Sequence, residues 1–233
     1  MKKITAQIPN AFTGANLFFG VLGITFALQG KHGAAFGCMV VSAVFDFFDG
    51  FMARLLKVAS PIGKELDSLA DVVTFGVLPG LMVYTLYHQL VDAPLWPSYF
   101  AFAIPVLSAF RLAKFNLDET QRENFKGMPT PANALFIGAM VCWISRAGFR
   151  FDYYTYLLPV CSVLLSLLLV SRIPLLALKF NTRRKREWLK ISFLAVSAVL
   201  VILFKFAAAA VIFPLYFIVS FIYFRIHEIQ SRN

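Results

Sequence analysis

Long apolar runs separated by short polar links set the pattern of this chain. LLPVCSVLLSLLLV at 157–170 and FLAVSAVLVILF at 193–204 are the clearest of them. A helix crosses the hydrocarbon core of a bilayer in about 20 mostly apolar residues. About eight stretches reach that length: 11–30, 34–53, 66–87, 96–114, 131–149, 153–173, 189–205 and 207–225. The second and third carry Asp residues at their facing ends, which a plain hydropathy window would trim. The pattern predicts an all-α fold, a polytopic transmembrane helical bundle forming a single integral membrane domain over 1–233. No long repeat, heptad or low-complexity linker divides it. The basic start MKKITAQIPN leads into a full-length apolar run without a small-residue cleavage pattern, so that run is expected to be a span and not a leader.

Composition narrows the class. Of 233 residues, 59% are hydrophobic and only 15% charged. Disorder needs the opposite balance, and a water-soluble enzyme needs more polar surface than this. Twenty-two Lys and Arg against 12 Asp and Glu leave a formal charge of +10. With the N-terminus inside, only Lys31, Arg146, Arg150 and Lys205 fall on the outer side; the others gather in the inner links. That bias places both termini in the cytoplasm, in the cell's inner membrane. The block TRRKREWLK at 182–190 is expected to anchor topology beside anionic membrane lipids. It lacks the aromatic context of a nucleic-acid contact, and no nucleic acid is expected as a partner. Cys38, Cys142 and Cys161 lie inside apolar runs and are expected to be packing residues.

The acids are few enough to place singly. Asp92, Asp118, Glu119, Glu123, Asp152, Glu187 and Glu228 fall in links or the tail, and Glu65 beside Lys64 suits a solvated helix start. Asp46 and Asp49 close the second run; Asp67 and Asp71 open the third. The short link makes those runs antiparallel neighbours, with all four acids at the cytoplasmic end. Spacings of i,i+3 and i,i+4 put each pair on one helix face, so the pairs can meet across one seam. Four carboxylates there repel one another unless cations sit among them. All-oxygen ligands favour Mg²⁺ or Mn²⁺ over zinc, and one or two ions would suffice. Gly50 and Ala53 leave the wall beside the acids bare, and Arg54 offers a planar fork for phosphate oxygens. Ser60 and Gly63 add a hydroxyl and a permissive turn around Pro61. Together these residues describe a pyrophosphate site at the membrane surface.

Asp46-Phe-Phe-Asp49-Gly50-Phe-Met-Ala53-Arg54, followed by Gly63, Asp67 and Asp71, resembles the signature of the CDP-alcohol phosphotransferases, D-x2-D-G-x2-A-R-x8-G-x3-D-x3-D, at every fixed position. The resemblance implies a membrane enzyme in which an alcohol attacks the pyrophosphate of a CDP-linked lipid and CMP leaves. It implies a core of about six spans over about 1–178, with two additional spans at about 189–225, and a homodimer. It assigns Asp46, Asp49, Asp67 and Asp71 to metal ions, two in number, with Asp71 also taking the proton from the attacking hydroxyl. It assigns Gly50, Ala53, Arg54, Ser60 and Gly63 to the CDP-lipid, with Pro9 and Asn10 as a nucleotide-contacting entry segment just before the first span.

Within the family, LDSLADVVTFGVLP, RLAKFN and FKGMPTPANA resemble the branch that joins CDP-diacylglycerol to L-serine. Glycerol 3-phosphate or inositol phosphate as acceptor stays open on these residues. Serine carries a carboxylate and an ammonium. Arg111 and Lys114 are candidates for the former, and Asn116 and Thr130 for neutral contacts. A cation transporter is the competing class, since intramembrane acids also mark ion paths. It predicts acids near the midplane, and it does not account for Arg54 beside them.

Overall fold

The computed structural model describes residues 7–56, 58, 61–92, 95–117, 127–148 and 153–171, with individual helical positions between 192 and 220. Helix α1 (Gln7–Leu28) turns into α2 (His32–Leu55) through Gly30. Gly30 takes φ +71°, a left-handed conformation that glycine adopts without penalty. The Gly30 and Lys31 amides then donate to the Ala27 and Phe26 carbonyls, both at 2.9 Å, and cap the helix end.

The third element is a single 30-residue helix, Pro61–Leu90, with a wide turn inside it. Its segments are α3 (Pro61–Asp71), a π-helical turn (Val72–Val77) and α4 (Leu78–Leu90). The cause of the wide turn lies in Pro79. Proline has no N–H to offer the Phe75 carbonyl, and its ring crowds that carbonyl in a regular helix. The turn opens instead, and the Leu78 amide donates to the Val73 carbonyl, five residues back. Then come a 3₁₀ stretch (Trp96–Phe102), α5 (Ala103–Leu117), α6 (Thr130–Ala147) and α7 (Tyr154–Val170). Pro97 and Pro131 begin their elements where a missing N–H costs nothing. Gly127, at φ +80°, lays the entry to α6 against the end of α7, where the Met128 amide donates to the Leu168 carbonyl at 3.1 Å.

The Pro61–Leu90 helix is the hub. Its apolar window is 61% buried, against 28% for α1, α2 and Trp96–Leu117. Phe75, Leu78, Met82, Leu86 and Tyr87 pack with Met39, Ile104, Ile137 and Leu158 in the central core. Phe18, Phe47, Phe110, Leu164 and Leu167 point outward, as lipid-facing positions do. The chain is all-helical among the described residues, and four helices are long and apolar enough to cross a membrane. The described helices fall on the first six expected spans; 189–205 and 207–225 lie largely outside the described residues. Two boundaries need correction. The third span starts at Pro61 and not near residue 66, because its first turns, PIGKELD, are helical but polar. Pro9 and Asn10 belong to the first turn of α1 and do not precede it.

Candidate active site

α2 brings Asp46 and Asp49 to its last turns, and α3 brings Asp67 and Asp71 to its own last turns. Oxygens of Asp46, Asp49 and Asp67 come within 4.8 Å of one another. The acids meet across the α2–α3 seam as their spacing predicts, but the seam is open as a cleft: the two backbones make little direct contact, and α1 packs against both. Electrostatics explains the gap, because carboxylates brought to one place need space for counter-charge between them. Asp71 lies one turn beyond Asp67, outside that triangle, and its carboxyl shares a hydrogen bond with Asp46.

These residues fit a hard divalent ion. Asp67 Oδ1 and Asp71 Oδ1 are buried and have no hydrogen-bond partner among the described residues. A buried carboxylate oxygen without a donor is costly, and a cation supplies what the protein does not. Asp49, by contrast, is already fixed: the Thr13 hydroxyl on α1 donates to its Oδ2 at 2.7 Å. Thr13 therefore holds a candidate metal ligand in one orientation. Its only sequence signal is a polar residue inside an apolar run, one turn after Asn10. Thr13→Val keeps the shape and removes the donor. Metal affinity should fall about tenfold or more, the usual cost of losing such a support, read from Mn²⁺ titration of the purified protein. Unchanged affinity would separate Thr13 from the site.

The remaining candidates divide. Gly50 is open: among the described residues a Cβ there would meet the Arg54 guanidinium, 3.7 Å away, and nothing nearer, so the fork lies alongside the bare helix wall. Ala53 and Gly63 are half-buried at the same end, Pro9 is buried and Asn10 half-buried on α1, and Ser60 lies outside the described residues. Arg111 is buried, donates from Nη1 to the Thr130 hydroxyl at 2.6 Å, and acts electrostatically on Asp71. Lys114 is exposed and is not brought to the acids. Asn116 serves as a latch. Its Nδ2 donates to Ser68 Oγ at 2.8 Å, and its carbonyl accepts from Lys64 Nζ at 3.0 Å. The latch ties the end of α5 to α3 between Asp67 and Asp71, and Ser68 was not evident from the spacing of charges.

The profile of the CDP-alcohol phosphatidyltransferase family matches residues 6–168, the stretch that contains every helix of the cleft. Three relatives extend the likeness. A CDP-diacylglycerol–serine O-phosphatidyltransferase of Mycobacterium leprae is 34% identical over 215 residues, 89% of this chain and 68% of that protein. One of Bacillus subtilis is 35% identical over 166 residues, 71% of this chain and 88% of that protein. One of Helicobacter pylori is 30% identical over 232 residues, 97% of this chain and 95% of that protein.

Proposed function

We propose a reaction from the premise that this chain belongs to the CDP-alcohol phosphatidyltransferase family: it transfers the phosphatidyl group of CDP-diacylglycerol to the hydroxyl of L-serine, giving phosphatidylserine and CMP. The observation that carries this reading is the Asp46–Asp49–Asp67 triangle together with a buried Arg111, paired with Thr130, within electrostatic reach of Asp71. A phosphoryl-transfer centre with a buried guanidinium at its acceptor side suits an alcohol that bears a carboxylate. The relatives whose names specify serine point the same way.

Asp46, Asp49 and Asp67 would hold a divalent ion, Mg²⁺ or Mn²⁺, with Asp71 joining a second. When bound, such ions stabilise the charge developing on the pyrophosphate and on departing CMP. The protein's own residues do the rest. Arg54, beside the open wall at Gly50, receives the phosphate oxygens of the CDP part, with Ala53, Ser60, Gly63, Pro9 and Asn10 around it. Arg111 takes the serine carboxylate and thereby orients the hydroxyl. Asp71 accepts the hydroxyl proton as the serine oxygen bonds to the lipid-bearing phosphorus and the bond to CMP breaks. The excess of Lys and Arg in the links at this end supports a site facing the cytoplasm.

The test is an acceptor panel. Purified protein with labelled CDP-diacylglycerol and Mn²⁺ or Mg²⁺ should release CMP with L-serine and form phosphatidylserine. Equal or better use of glycerol 3-phosphate or inositol phosphate would move the acceptor assignment. Cation flux without CMP release from any acceptor would instead make the chain a transporter.

A further inference from the structure

The acceptor side of the cleft continues one helical turn deeper than Arg111 and Thr130. Ser108 lies three residues before Arg111 on α5, and Asn133 three residues after Thr130 on α6. Each therefore sits on nearly the same face as its neighbour, one turn further from the carboxylate end. The Arg111–Thr130 hydrogen bond joins the two helices at this level. Ser108 and Asn133 are both fully buried, at 0% exposure.

Despite that burial, Ser108 Oγ, Arg111 Nε and both polar atoms of the Asn133 amide have no hydrogen-bond partner among the described residues. Four buried hydroxyls elsewhere in the bundle do have one, although Ser197 Oγ and the Asn16 amide have none among the described residues. Ser42 and Thr74 donate to the Asn16 carbonyl at 2.9 and 3.4 Å. Ser162 and Ser166 donate one turn back along their own helix, at 2.8 and 2.6 Å. Ser108 is also held against the turn that follows Asp71: a Cβ on Gly76 would approach Ser108 Cβ to 3.2 Å. A buried polar group left unpaired is destabilising. Several of them flanking one interhelical bond mark a place that a polar ligand completes.

The unpaired atoms sort by chemistry. Arg111 Nε and Asn133 Nδ2 are donors; Asn133 Oδ1 and Ser108 Oγ are free to accept. A zwitterion needs this set, with donors for a carboxylate and neutral acceptors for an ammonium. We infer that Ser108 and Asn133 are specificity-determining residues that receive the ammonium group of an α-amino acid acceptor while Arg111 holds its carboxylate. The inference rests on the serine reading above and extends it to a discrimination that no motif assigns: the acceptor is selected for its amine as well as for its acid.

The experiment compares L-serine with 3-hydroxypropionate, which keeps the hydroxyl and carboxylate and lacks the ammonium. Wild-type protein should prefer serine. Asn133→Leu should lower kcat/KM for serine about 10–100-fold through KM, the range for hydrogen bonds to a charged group. The loss with 3-hydroxypropionate, which has no ammonium to place, should be smaller, so the serine to 3-hydroxypropionate ratio falls. Ser108→Ala should shift the same ratio about three- to tenfold, the range for a single weaker bond, and it decides the matter alone if Asn133→Leu does not yield a monodisperse protein. A serine to 3-hydroxypropionate ratio that stays at the wild-type value in Ser108→Ala, and in Asn133→Leu where it folds, overturns the inference while the serine reading stands. Wild-type protein that refuses serine altogether overturns the serine reading first.

Discussion

Asp67→Asn is expected to lower turnover by about a thousandfold or more, comparable to losing a major electrostatic contribution at a reacting centre, and to abolish metal binding in step. The reason lies in what Asp67 touches. Its Oδ1 is buried without a donor, and its other neighbours in the triangle are the carboxylates of Asp46 and Asp49. An amide in that position keeps the volume and removes one of three charges that would hold a cation. The same change should act in the opposite direction on the metal-free protein. Removing one of several repelling carboxylates relieves the folded state, so the apo variant should melt a few degrees above wild type, in line with about 1 kcal/mol per close charge pair. Wild type should then gain stability on adding Mn²⁺, as any ligand of the native state provides, and Asp67→Asn should not. A thermal melt in detergent with and without Mn²⁺ reads both effects without any substrate. A variant that still gains stability from Mn²⁺ to the wild-type extent would remove Asp67 from the metal set.

The acids were legible because a charge inside an apolar run has so few explanations, and because i,i+3 and i,i+4 spacings fix a face whatever the rest of the fold does. The run lengths similarly carried the all-helical bundle, and the signature carried the family. What was hidden depends on partners distant in sequence. The short link between the second and third runs brought the acids face to face, but it did not reveal that α1 packs against both helices and leaves a cleft between them. Thr13 bonds to Asp49 across 36 positions, a pairing that no local pattern announces. Arg111 and Lys114 looked alike as cations at the end of one helix. Burial separates them: Arg111, one turn deeper in the bundle, is covered and bonded to Thr130, while Lys114, nearer the helix end, is exposed. The π turn had a trace in Pro79, yet a proline inside a span announces a defect without saying where the helix will widen. Ser108 and Asn133 were invisible for the simplest reason: small polar residues in a span ordinarily satisfy themselves on their own backbone, and only coordinates reveal that these two do not.

Asp71→Asn separates proton removal from binding. The serine hydroxyl is a weak nucleophile until its proton leaves as the new bond to phosphorus develops. Asp71 is placed for that task. It lies one turn past the acid triangle, shares a hydrogen bond with Asp46, and sits in the field of Arg111, the residue proposed to hold the serine carboxylate. Its Oδ1 is buried without a protein donor among the described residues, so no hydrogen bond of the protein competes for that atom. Asparagine preserves the shape and the contact to Asp46 but cannot accept a proton. Turnover should fall by about 10²–10⁴, the usual contribution of a general base. CDP-diacylglycerol binding and Mn²⁺ affinity at the Asp46–Asp49–Asp67 triangle should stay close to wild type, because those three remain, while a weaker second ion is lost. That profile distinguishes Asp71 from the triangle, whose variants lose metal and turnover together. It also distinguishes a base from a mere prop for Arg111, whose loss would appear first as a raised KM for serine. Calorimetry on the purified variant gives the two binding constants, and CMP release at saturating serine gives kcat. A kcat within about tenfold of wild type, short of the general-base range, would place the proton acceptor on another group.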